Sequence, residues 1–182
     1  IEVGIAVEKL KEAIESITEE IYKELFTVAL AAILLDVSNL YRNGKCLSYK
    51  KNWEERKVCE VDVFTKFDDK VENELRNDIK KLKKGIKIHN KECLYNLDSR
   101  VAIEERIANN SIDLVITSPP YLNSRDYTDT YMLELKTLGF TKTSEEIKEL
   151  REKTIRSHVQ IKWSDTSTVD NEMLNRTLKE LE

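Results

Sequence analysis

The chain has 182 residues, 40% of them hydrophobic and 35% charged, the composition of a soluble globular protein with room for one domain and its own core. Its formal charge of -4 excludes binding to nucleic acid through overall charge, so any such contact has to come from local basic patches. Three cysteines, Cys46, Cys59 and Cys93, are odd in number and far apart with no Cys-x-x-Cys pair, which predicts reduced thiols and neither a disulfide framework nor a metal site.

The chain opens on Ile1 rather than methionine and has no basic region followed by an apolar core, so a processed or truncated chain without a secretory signal is expected. From about Ile5 to Tyr41 it reads as helix. Leu10, Ile14, Ile17, Ile21 and Leu25 keep a helical stripe, and Phe26, Val28, Leu30, Ile33, Leu34 and Leu35 then make the helix apolar nearly all round, so other helices or a partner must cover it. The most apolar part, Leu25 to Leu35, is too short to cross a bilayer, and a cytoplasmic location without membrane contact is expected. Arg42-Asn43-Gly44-Lys45 is turn chemistry.

Residues 45 to 66 are ambiguous. Val58 to Phe64 alternates like a strand but also suits a loop. Arg42, Lys45, Lys50 and Lys51, interleaved with Tyr41, Tyr49 and Trp53, have the composition of a nucleic-acid backbone contact, although a solvated basic loop with its aromatics pinned to the body is the favoured reading. Phe67, Val71, Leu75, Ile79 and Leu82 then recur at helical spacing up to Gly85, placed as a C-terminal cap. Lys80, Lys81, Lys83 and Lys84 fall in the last turns, where the helix dipole favours cations.

Residues 85 to 93 read as a strand running into a loop, Ser99 as the cap of a helix over Val101, Ile103 and Ile107, and Ile112, Leu114, Val115 and Ile116 as a strand buried on both faces of a parallel sheet. A strand, helix, strand unit of this kind is a right-handed crossover, and ligands of such sheets sit beyond the carboxyl ends of the strands. Thr117 to Tyr121 occupies that place. It contains Pro119 and Pro120, the only prolines in the chain, which lock the backbone and leave carbonyls pointing outward next to an aromatic ring.

Ser118-Pro119-Pro120-Tyr121, with Asp113 to Thr117 before it and Leu122-Asn123 after it, resembles the catalytic motif of the S-adenosylmethionine-dependent DNA amino-methyltransferases, in which Asp, Asn or Ser precedes two prolines and an aromatic residue. The resemblance is close over residues 112 to 123 and loose elsewhere. It implies a Rossmann-like α/β methyltransferase fold acting on double-stranded DNA with the target base flipped out. The Ser118 hydroxyl and the Pro119 carbonyl would accept hydrogens from the exocyclic amino group, aiming its lone pair at the donor methyl, while Pro120 holds the loop and Tyr121 stacks on the base. Serine at the first place favours cytosine N4 over adenine N6, and the resemblance implies a restriction-modification system. Asn123, Asp126 and Tyr127 in the polar stretch that follows are expected to line the base pocket.

Downstream, a helix is expected from about Tyr131 to Leu138 with Gly139 as its stop, and Thr143 and Glu146 have capping-box spacing for another through about Arg156. Arg156 and His158, in an Arg-Ser-His run similar to those of the same family, are expected on the target strand, with a partly exposed basic segment as the alternative. The tail carries Met173, Leu174, Leu178 and Leu181 on one side and reads as a helix that docks on something. The organisation is therefore a mainly helical region over 1–84 for insertion or partner docking, a catalytic α/β region over 85–163 and a C-terminal helix over 164–182.

One part of the family's pattern is missing. A Gly-rich loop normally approaches the methionine end of S-adenosylmethionine, and here the four glycines lie at 4, 44, 85 and 139, too far apart to make one. Besides Ser118, only Glu92 stands where an acidic cofactor residue is expected, in place of the usual Gly-Asp. Three alternatives stay open: a part of a longer enzyme whose Gly-rich strands lie on a missing segment or second polypeptide, a divergent complete enzyme, or a non-catalytic DNA- or partner-binding subunit.

Overall fold

The computed structural model describes residues 2–44, 46–85, 94–118, 121, 126–154, 161 and 171–181. The predicted helix over 5 to 41 is two helices, α1 (Glu2–Glu15) and α2 (Glu20–Val37). Ser16 explains the break: its hydroxyl donates to the Ala13 carbonyl at 2.7 Å, and Ile17 N–H closes a tighter turn onto Ile14 at 3.1 Å before the β-branched Thr18. The break folds α2 back along α1, where Lys23 and Glu15 pair at 2.6 Å.

A hairpin follows. Strand β1 (Leu40–Arg42) pairs antiparallel with β2 (Leu47–Tyr49), with Tyr41 opposite Ser48. The expected turn closes it: Asn43 N–H donates to the Cys46 carbonyl at 3.1 Å, its side-chain oxygen accepts from Cys46 N–H at 3.0 Å, and Gly44 supplies the left-handed backbone, φ +87°.

The alternating Val58 to Phe64 stretch is not a strand. Helix α3 (Glu60–Asp69) starts inside it and runs through a wider π-helical turn at Lys70–Leu75 into α4 (Arg76–Gly85). The start is chemically encoded, because the Asp62 carboxylate reaches back to accept from Cys59 N–H at 2.8 Å, and this bond holds its carboxyl below the usual range. Val63 and Phe67, four residues apart, then face one side, and that helical spacing outweighs the local alternation.

The core lies between these first helices. Ala6, Val7 and Ile14 of α1, Leu30, Ile33, Leu34 and Val37 of α2, and Val63 of α3 are buried together, with Phe26 and Phe67 tilted against each other at 6.3 Å. Only one face of α2 is covered; Ile21 and Val28 stay about two-thirds exposed. No helix among the described residues is long and apolar enough to cross a membrane.

The second half differs most from expectation. Helix α5 (Ser99–Arg106) is capped by Asp98 rather than Ser99, its carboxylate accepting from Arg100 N–H at 2.9 Å and pairing with the Arg100 guanidinium at 2.6 Å. The guanidinium and then the backbone N–H pull the Asp98 carboxyl from its ordinary 3.8 down to about 2. A depressed carboxyl contributes stability above its unfolded value and loses it as pH falls through the folded one. Helix α5 should therefore fray between about pH 4 and 2, and Asp98→Asn should remove that transition; carboxyl carbon shifts followed by NMR across the range test both.

The buried parallel strand expected over Ile112 to Ile116 is not formed. These residues join no ladder among the described residues, and Ile112, Leu114, Val115 and Ile116 are 55%, 74%, 76% and 89% exposed. The reason is that a strand apolar on both faces needs a neighbour on each edge and a layer on each side, and no described residue supplies either. Its expected neighbour, over 85 to 93, lies outside the described residues beyond Gly85. A helical body with one two-stranded hairpin is what the described residues form.

Beyond the loop, α6 (Tyr127–Thr130) precedes α7 (Met132–Thr137), which ends as expected at Gly139 with φ +81°. Helix α8 (Ser144–Lys153) starts at the expected capping box, with Thr143 Oγ1 accepting from Glu146 N–H at 3.2 Å, and stops short of Arg156. Two backbone N–H groups, those of Lys142 and Thr143, hold the Glu146 carboxyl below its usual range. Helix α9 (Glu172–Leu181) leaves Met173 80% exposed and Leu174 42%.

Candidate functional site

Ser118 is exposed at the end of the apolar run, and Tyr121 is 80% exposed, its ring open to a flat partner. Pro119, Pro120, Asn123, Glu92, Arg156 and His158 lie outside the described residues. Tyr127 is exposed, 67%, on the first turn of α6. Asp126, just before it, is buried at 8%.

Asp126 has an internal task whatever else it does. It caps α6, accepting from Thr128 N–H at 3.1 Å and from the Thr128 hydroxyl at 2.5 Å. The same hydroxyl oxygen accepts from Arg151 Nε of α8 at 2.8 Å, leaving Asp126 Oδ2 3.2 Å from that nitrogen as a charge contact without a hydrogen aimed at it. The Arg151 fork also donates to Asp129 Oδ1 at 2.6 Å. One guanidinium, 19% exposed, thus neutralises two carboxylates and fixes a helix of a single turn, too short to persist alone.

A second arginine clamps the same segment from the other side. Arg42 of β1 donates to the Thr130 carbonyl at 3.3 Å and to the Glu134 carboxylate, and its guanidinium lies 4.6 Å from the centroid of the Tyr131 ring. Tyr127 and Tyr131 are therefore carried on a segment tied to both the hairpin and α8. Sequence reasoning missed both clamps. The i, i+3 carboxylates Asp126 and Asp129 beside a capped α6 start are the signal that a cation must lie opposite; nothing local identifies it as Arg151.

Of the basic and aromatic cluster around the hairpin, Lys45 lies outside the described residues, while Arg42, Lys50, Tyr49 and Trp53 have internal contacts. Lys50 Nζ donates to the carbonyls of Leu35 and Ser38 at 2.6 and 2.9 Å, and Arg56 to that of Ser38 at 2.7 Å, together closing the C-terminal end of α2. Burial, then the neighbouring Arg56, pulls the Lys50 ammonium below its usual range. Tyr49 and Trp53 stack at 4.7 Å.

No grouping of three or more metal-ligating side chains occurs among the described residues. The four glycines fall at four separate places in the fold. Gly4 lies within α1, Gly44 in the hairpin turn, Gly85 at the end of α4 and Gly139 after α7.

Two curated proteins are similar to this chain. One is the type II methyltransferase M.BsoBI of Geobacillus stearothermophilus, 32% identical over 159 residues that cover 77% of this chain and 31% of that protein. The other is the type II methyltransferase M.MvaI of Kocuria varians, 28% identical over 126 residues, 68% of this chain and 28% of that protein. The chain spans about a third of the length of these relatives. No protein-family model and no solved structure matches it.

Proposed function

We propose that the chain is the base-handling part of a site-specific DNA methyltransferase that modifies an exocyclic amino group, cytosine N4 in preference to adenine N6, as one component of a restriction-modification system. The observation that carries this reading is Ser118-Pro119-Pro120-Tyr121 at the end of an apolar strand-forming run, in a chain similar over most of its length to two type II methyltransferases. Ser118 and the Pro119 carbonyl accept the amino hydrogens, Pro120 holds the loop and Tyr121 stacks on the flipped base. Tyr127, on the clamped segment, stands with Asn123 and Asp126 at the pocket wall, and Arg156 and His158 contact the target strand. The methyl donor this reading implies is S-adenosylmethionine.

The wide spacing of the glycines at 4, 44, 85 and 139 supports a donor cradle made by other residues than these. In this reading a Gly-rich segment or second polypeptide joins the chain, adds its strands to the exposed 112 to 116 run and completes a Rossmann-like sheet, with Ser118 and Glu92 at its boundary. The same glycine positions favour one second reading, a non-catalytic DNA- or partner-binding subunit.

Two measurements separate these. Calorimetric titration of this chain with S-adenosylmethionine should show no binding, whereas micromolar binding would mean a complete site built without glycines. In the assembled enzyme, Tyr121→Ala should lower methyl transfer by about 10- to 100-fold, the worth of one stacked base. Unchanged activity there, and in Ser118→Ala, would remove the loop from the chemistry and leave the non-catalytic reading.

A further inference from the structure

Between Asp36 and Glu60 the chain carries Arg42, Lys45, Lys50, Lys51, Arg56 and Lys57 against Glu54 and Glu55, a formal charge of +4 in a chain of -4. Folding neutralises little of it. Among the described cations of this stretch only Arg42 forms an ion pair, with Glu134. Lys50 and Arg56 donate to carbonyls at the end of α2, which are dipoles rather than charges, so both stay cationic partners for a ligand's field. Lys51 and Lys57 are exposed and make no ion pair or hydrogen bond. A chain of net negative charge can attract a polyanion only at a patch of this kind.

The hairpin gives the patch its shape. Tyr49 is opposite Leu40, and Leu40 shares a strand face with Arg42, so Tyr49 stands on the face that Arg42 turns to the Thr130 carbonyl. Tyr49 stacks on Trp53 at 4.7 Å and is still 62% exposed. Because these two rings are occupied with each other, what this face offers a ligand is cations and a phenolic hydroxyl. Such groups hold phosphates and fix register without reading bases.

We propose that the hairpin face holds the phosphate backbone of duplex DNA beside the target base, with Lys51 and Lys57 as phosphate contacts and the Tyr49 and Trp53 stack as their rigid support. The proposal rests on the methyltransferase reading for its ligand and adds to it a surface that reads no sequence. The bond from Arg42 to the Thr130 carbonyl couples this surface to the segment that carries Tyr127, so phosphates held here are placed relative to the proposed pocket wall.

Fluorescence anisotropy of a labelled duplex of about 20 base pairs, titrated with the full chain, should show micromolar binding at low salt, with log K falling linearly in log salt. Lys51→Gln with Lys57→Gln should weaken binding about tenfold and reduce that slope by about two, equally for duplexes of different sequence. The same charge change on α4, Lys80→Gln with Lys83→Gln, should stay within about twofold of the parent chain, since distant charges are screened. All four lysines are exposed, and unchanged helical circular dichroism shows that the variants are folded. In a Trp163→Phe chain Trp53 is the one remaining tryptophan, and its emission should change as duplex is added. No duplex binding by the parent chain, an unchanged slope in the hairpin variant, equal losses from both lysine pairs, or tighter binding of a single strand of the same length would each overturn the proposal. Tyr121→Ala in the assembled enzyme tests the loop by methyl transfer instead, so the hairpin contact and the methyltransferase reading fail by different results.

Discussion

Arg151→Met is expected to destabilise the protein by about 3 to 5 kcal/mol, the cost of leaving a buried charge without its partner. The loss is large because one side chain serves two carboxylates. Asp126, its side chain 5% exposed, and Asp129, 19% exposed, would both face a thioether. The Thr128 hydroxyl would lose the donor that aligns it for Asp126. Guanidinium denaturation gives the total, and hydrogen exchange at the Thr128 and Tyr131 amides locates it, since both report the integrity of α6. Asp126→Asn in the same chain should recover part of the loss by removing one stranded charge, a coupling of about 1 kcal/mol or more in a double-mutant cycle. A cost below about 1 kcal/mol for the single variant would class the pairs with ordinary surface ion pairs and withdraw Arg151 as the anchor of this segment.

That anchor bears on the proposed base pocket through geometry alone. Tyr127 is the first residue of α6 and Tyr131 the residue that follows it, so both depend on a single helical turn whose backbone is too short to hold itself. Arg151 and Arg42 hold it from opposite ends of the sequence, 23 residues ahead in one case and 88 behind in the other. Loosening either arginine would widen the range of positions open to Tyr127, while the Tyr121 ring, on the other side of residues 122–125, would keep its own exposure.

What the sequence disclosed, and what it withheld, follows from how local each interaction is. The Thr143 and Glu146 capping box, the Asn43-Gly44 turn and the Gly139 stop are each decided within four residues, and each stands in the structure where the residues require it. The three-residue strands of the hairpin are too short to show a period of two, so their turn was legible and their pairing was not. Val58 to Phe64 misled because two periodicities overlap there, and the Cys59 and Asp62 cap decides between them. The apolar run at 112 to 116 has the composition of a strand, but a ladder needs partners and the described residues offer none. In the candidate site the loop residues are proposed from their order alone, whereas the Arg42 and Arg151 clamps, being contacts between distant segments, leave no such local trace.

Leu30→Ala is expected to cost about 3 to 4 kcal/mol, against less than about 0.5 kcal/mol for Val28→Ala two residues earlier on the same helix. The contrast isolates burial from helix propensity, because both changes put alanine into the middle of α2. Leu30 is 1% exposed at the junction of α1, α2 and α3, whereas Val28, 67% exposed, meets mainly solvent. The leucine's neighbours, among them the fully buried Ile33 and Val63, are fixed on rigid helices and cannot collapse into the space it leaves, so the loss includes a cavity as well as the transfer of the side chain. A domain's total stability of about 5 to 15 kcal/mol makes this a large fraction. Chemical denaturation of the two variants side by side decides it. A cost near zero for both would mean that the helices of the N-terminal half do not pack as one core. A cost of the expected size that adds to that of Arg151→Met would show two separately stabilised parts, a packed helical body and a loop segment clamped to it by arginines, as the absence of shared partners between Leu30 and Arg151 requires.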